Sequence, residues 1–291
     1  MTIRNPLEWG ADQLKSGAHA VRLASGSVYH AEDHAAASRP EINRIGIADL
    51  KDALAKGLDD FAAHRTDVVY VCLIYPVVGL VLARAAFGYD MLPLLFPLAS
   101  GFALVGSFAA VGLYEMSRRR EQGLAVTWTD AVGVLGSPSF GAILVLGLAM
   151  LAIFVLWLFA AQLIYMATLG PEPPASMASF VEAVFTTQAG WAMIGVGVGV
   201  GFLFAVLSLA VSVVAFPMLI DRKVGVDIAV WTSVRAVAAN PIAMGAWGLI
   251  VVGGLVLGSL PLFIGLAIVM PVLGHATWHL YRKVVEVPGH K

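Results

Sequence analysis

The chain has 291 residues, 59% of them hydrophobic and 13% charged, with a formal net charge of −1 and a mean hydropathy of +0.84. Soluble domains run at roughly 45–50% apolar and about 25% charged, so this composition excludes a soluble enzyme, and the near-zero net charge excludes a nucleic-acid binder. The single cysteine, Cys72, excludes a disulfide-built secreted domain.

Residues 1–66 form a polar region of cytoplasmic character. Glu8, Asp12 and Lys15 interrupt the first twenty residues, so a cleavable signal peptide is not expected. His30-Ala31-Glu32-Asp33-His34 superficially resembles a metalloprotease helix, but its glutamate stands one place late for H-E-x-x-H and it falls in a linker. The sharper feature is an amphipathic helix over 47–63. Ile47, Leu50, Leu54, Leu58 and Phe61 recur at steps of three and four, while Asp49, Lys51, Asp52, Lys56, Asp59 and Asp60 fill the other face. This helix is expected to lie along the inner membrane surface or under the bundle, with Leu50, Leu54, Leu58 and Phe61 buried.

Residues 67–283 read as an all-α membrane domain, a six-helix transmembrane bundle with spans at 68–87, 91–116, 140–169, 191–220, 241–257 and 261–280, and residues 284–291 as a cytoplasmic tail. No Asp, Glu, Lys or Arg occurs in 131–171 or 236–281, and one span needs roughly 20 apolar residues. The second window is long enough to fold back, and Gly258-Ser259-Leu260-Pro261 supplies the turn. Pro76, Pro97, Pro217 and Pro271 are expected to kink their helices. Seventeen of the eighteen lysines and arginines fall on one side of this topology, leaving Arg84 alone on the other. The positive-inside rule therefore puts both termini in the cytoplasm of an inner-membrane, multi-pass protein. The pattern also reads as three hairpin units, each preceded by an interfacial segment: Ile47 onward, Thr127-Trp128-Thr129-Asp130, and Asp227-Ile228 with Trp231 and Val234.

The richest candidate chemistry is Gly274-His275-Ala276-Thr277-Trp278-His279-Leu280-Tyr281-Arg282-Lys283. His275 and His279 are four apart, hence on one helix face, and could share a metal ion. The competing reading makes Trp278, Tyr281, Arg282 and Lys283 an interfacial anchor. Glu115 and Asp221 close their own spans and are the carboxylates that could join the two histidines at the inner mouth. Gly195, Gly197, Gly199 and Gly201, with Gly254 and Gly258, form small-xxx-small pairs suited to helix packing. No charge falls near mid-span, which argues against a proton relay.

Four stretches carry a family resemblance: Ile47-Ala48-Asp49-Leu50 with Gly57-Leu58-Asp59-Asp60-Phe61; Gly112-Leu113-Tyr114-Glu115-Met116-Ser117-Arg118-Arg119; Phe216-Pro217-Met218-Leu219-Ile220-Asp221-Arg222; and Gly274 to Arg282. Through them the chain resembles a bacterial family of predicted integral membrane proteins of unknown function (domain of unknown function 2189), some members of which carry a cytochrome c oxidase subunit I label. The resemblance supplies no catalytic residues. An oxidase core must ligate two haems and a copper, with histidine the usual ligand, and two histidines on one helix cannot. The expected function is a non-enzymatic membrane component or accessory subunit, with a link to a respiratory complex as one form of it. Its partners would be the lipid bilayer and other membrane subunits or further copies of the chain. The alternatives are a small-solute transporter or channel, and a metal- or haem-handling protein acting through His275 and His279. No cofactor is called for, with haem or a transition metal left open.

Overall fold

The computed structural model describes residues 40–72, 92–94, 97–98, 100, 106, 110–261 and 264–285. Among them the chain is helical, and the only extended pairing is an isolated antiparallel bridge between Ile42 and Val285. Most of the 68–87 span, and of 91–116 up to residue 109, lies outside the described residues, as do residues 1–39 and the tail from 286.

The first of the described helices, α1 (Ile47–Cys72), runs without a break through Thr66-Asp67. The amphipathic segment and the start of the first expected span are therefore one rod. Its buried face differs from the expected one. Leu50, Ala53, Gly57 and Asp60 are buried, Leu54 and Phe61 half-buried, and Leu58 is 55% and Ile47 48% exposed. The cause is the last helix, α10 (Leu266–Val284), whose contact with α1 is the most extensive between any two described elements. A Cβ placed on Gly57 would lie 2.6 Å from the backbone nitrogen of Ala276. The two backbones are too close for a leucine between them, so the small residues take the interface.

Among the described helices α2 (Val111–Glu121) carries the arginine run within it. After the short α3 (Trp128–Gly133) comes α4 (Phe140–Thr168). Its 29 residues make about 43 Å of helix, longer than a hydrocarbon core of about 30 Å. Serine hydroxyls of Ser176 and Ser179 cap a short apolar helix, α5 (Met177–Thr186), in a segment expected to be loop. Thr187 then caps α6 (Gln188–Ser212), its side chain accepting from the Gly190 N–H. The fourth expected span is interrupted at Val213-Val214 and resumes as α7 (Ala215–Asp221). Pro217 has no N–H to give to the Val213 carbonyl. The Val214 N–H leaves the helical ladder and donates to Ser233 Oγ at 3.2 Å. Ser233 belongs to α8 (Val226–Ala239), which Asn240 joins directly to α9 (Pro241–Ser259), with proline at the first helical position. The turn expected at Gly258 to Pro261 is present. There a Cβ on Gly265 would meet the Gly258 Cα at 2.8 Å, so the α9–α10 hairpin needs glycine on both sides.

Three stretches among the described residues are long and apolar enough to cross a membrane: Phe140–Thr168, Gln188–Asp221 and Pro241–Ser259. Helix α10 falls at the sixth expected span but behaves differently. Its second half is buried in the protein, from Gly274 to Leu280 almost without interruption. The glycine pairs divide. Gly201 lies against the Trp157 ring and Gly254 against Val269 and Leu273, whereas nothing among the described residues comes within 4 Å of a Cβ on Gly195, Gly197 or Gly199.

Candidate functional site

At the end of the bundle that carries the arginine run, α1, α2 and α10 converge on one carboxylate, Asp60. It is 5% exposed. Its Oδ2 accepts from Ser117 Oγ at 2.6 Å and from His279 Nε2 at 2.9 Å. Its Oδ1 accepts from the Arg120 guanidinium, which also reaches Asp59 Oδ2 at 2.9 Å. His275 Nδ1 is 2.8 Å from Ser117 Oγ and 4.0 Å from Asp60 Oδ2. Ser117 has one hydroxyl proton, and Asp60 takes it, so Ser117 accepts from His275 Nδ1–H. The order is imidazole, hydroxyl, carboxylate, with a second imidazole on the same oxygen.

Asp60 lies outside the membrane-capable helices, and its ionisation follows from these partners. Burial pushes its pKa up, but the bonds from His279 and Ser117 and the neighbouring imidazoles outweigh burial and bring it from 3.8 to about 2. An open polar depression of about 290 Å³ lies beside it, lined by Lys56, Asp59, Asp60, Ser117, Arg120, Glu121 and His279.

The histidines thus share one face and one site, as their spacing implies, but the carboxylate between them is Asp60. Glu115 is held by Arg118 through two bonds of 2.7 and 2.8 Å. Asp221 accepts from the Tyr281 hydroxyl at 2.6 Å and faces Arg282 at 3.4 Å. The interfacial-anchor reading is also corrected. Trp278 and Tyr281 are fully buried, Arg282 pairs with Glu121 and Asp221, and Lys283 lies between Asp49 and Asp52 at 3.1 and 2.9 Å. Asp60 escaped the sequence reading because it was counted with the charged face of α1. The signal that points to it is the stripe Ala53-Gly57-Asp60, two small residues at helical spacing followed by a carboxylate.

A serine-nucleophile triad does not fit this arrangement. In a nucleophilic triad the imidazole stands between carboxylate and hydroxyl and takes the hydroxyl proton. Here the serine stands between, donates its hydroxyl hydrogen bond to Asp60, and is 1% exposed. Among the described residues no group of three His, Cys, Asp or Glu side chains is arranged to hold a metal ion. What the geometry does is join α1, α2 and α10 through buried charge.

Three apolar stretches of membrane length among the described residues, beside helices joined by this network, define an integral membrane protein. Residues 95–221 match the model of the family described as predicted integral membrane protein (DUF2189), and over that region the family resemblance is shown. The match takes in Ser117, Arg120, Glu115 and Asp221, while Asp60, His275 and His279 lie outside it. No curated protein and no solved structure matches the chain.

Proposed function

We propose that this protein is a non-enzymatic, multi-pass membrane component: a six-span bundle with both termini in the cytoplasm that serves as a subunit or scaffold for other membrane proteins. The observation that carries the reading is how the titratable groups at its end are used. Asp60, Ser117, Arg120 and the two histidines bond to one another across three helices, an arrangement that holds helices in place. The apolar windows of α4 and α9 are each only 28% buried, which leaves most of their surface for lipid or a partner.

The test is purification in mild detergent followed by native mass spectrometry and proteoliposome flux assays. The expected result is a defined complex with a second polypeptide or further copies, and no solute flux above empty vesicles. A respiratory subunit would be one such partner. Saturable flux by the lone chain would overturn the reading in favour of a carrier. Metal analysis of the same sample tests His275 and His279 as ligands. No stoichiometric metal is expected, because among the described residues no group of three His, Cys, Asp or Glu side chains is arranged to complete a ligand set around an ion.

A further inference from the structure

Helix α8 stands between two membrane-capable stretches, Gln188–Asp221 and Pro241–Ser259. Asn240 alone separates it from α9, so its C-terminal end lies within a residue or two of the bilayer surface. Its rotation is set by small and hydroxylated residues. Ala229, Thr232, Ser233 and Ala236 are buried, with Ser233 bonded to the Val214 N–H in the α6–α7 break. The opposite face carries Trp231, 54% exposed, Val234, and Ile242 on the first turn of α9, 82% exposed. Trp231 and Val234 are three residues apart on α8, and beyond the break at Asn240 the exposed Ile242, Leu249 and Val252 recur at helical spacing on α9.

The charges nearby are distributed unevenly. Arg118, Arg119, Arg120, Arg282 and Lys283 are each spent on carboxylates of the chain itself. Lys223 and Arg235 are exposed and appear in no ion pair among the described residues. Asp227, also exposed, occupies the first turn of α8, where a carboxylate complements the helix dipole. An exposed tryptophan and valine beside cations, at a height fixed by the next span, are the features of a helix that lies in the membrane interface.

We infer that α8 is a phospholipid-binding element lying along the bilayer surface, with Trp231 and Val234 in the headgroup–acyl boundary and Arg235 and Lys223 against the phosphates of anionic lipid. The inference needs only membrane insertion and does not depend on what the bundle assembles with. It is tested with the full chain carrying Cys72→Ser. Nitroxide labels at Trp231→Cys and Val234→Cys are read in vesicles of three parts phosphatidylcholine to one part phosphatidylglycerol. Labels at 231 and 234 should collide more with oxygen than with a water-soluble nickel chelate. Dominant nickel access at 231 and 234 would overturn the proposal. A second readout leaves Trp231 in place: the ratio of phosphatidylglycerol to phosphatidylcholine retained by protein from nanodiscs of the same mixture. Arg235→Ala or Lys223→Ala should lower that ratio by up to about fivefold, the worth of one basic charge at an anionic surface. An unchanged ratio in both variants, or protection of the labels by a bound polypeptide, would equally overturn it.

Discussion

Asp60 can stay ionised in a buried position because both of its oxygens are occupied by donors from other helices. Asp60→Asn removes the charge while nearly keeping the shape, and it leaves the Arg120 guanidinium facing an amide. We expect a loss of about 2–3 kcal/mol in unfolding free energy, read by thermal or denaturant unfolding in detergent. The pH dependence has a definite sign. A carboxylate whose pKa falls from 3.8 when unfolded to about 2 when folded contributes its stabilisation above about pH 4. That contribution, about 2 kcal/mol, is lost as pH falls through 2. Wild type and Asp60→Asn should therefore differ most near neutral pH and converge towards pH 2. A gap that stays constant over that range would mean that Asp60 is not the titrating group.

At the scale of elements, the contact of α1 with α10 is set by a close backbone approach and not by large apolar side chains. Gly57→Leu should cost about 2 kcal/mol or more, because even its Cβ would strike the Ala276 backbone. Leu58→Ala, at an exposed position one residue on, should change stability by less than about 0.5 kcal/mol. Comparing the two melting shifts is the check. The opposite ranking would restore the face that hydrophobic periodicity alone suggests. The same logic explains the break in the fourth span. Pro217 withholds the donor for the Val213 carbonyl, and at the same break Ser233 on a neighbouring helix accepts from the Val214 N–H.

Over the whole molecule, the segment before α1 returns to the end of the last helix. Asn43 N–H donates to the Val284 carbonyl at 2.8 Å, and the Asn240 side chain donates to the Asn43 carbonyl and accepts from the Ile45 N–H. Residues nearly the full chain apart are thus tied together beside the Asp60 network. Directly opposed residues of an antiparallel bridge have Cα atoms about 4.5–5.5 Å apart, within the range a disulfide spans. Ile42→Cys with Val285→Cys, in a Cys72→Ser background, should therefore cross-link under mild oxidation in native membranes. The readout is a shift in gel mobility that reductant reverses. No cross-link under conditions where both thiols react with a maleimide would show that this closure is not populated.

The membrane class, the helical content and the bounds of α4 and α9 were legible in the sequence, because long charge-free runs leave only one way to satisfy a backbone away from water. The pairing of His275 with His279 on one face was legible too, since it needs only helical spacing. Which face of α1 is buried, and which carboxylate meets the histidines, was not. Both depend on where α10 crosses α1, and a crossing is chosen by how closely two backbones can approach, which no periodicity within one segment encodes. A hydrophobic repeat reports that Leu58 prefers to leave water, but Gly57 and Ala276 determine which residues stand between the helices. Once those two backbones touch, Asp60 is carried inward one turn further on, where Ser117, Arg120 and His279 reach it together.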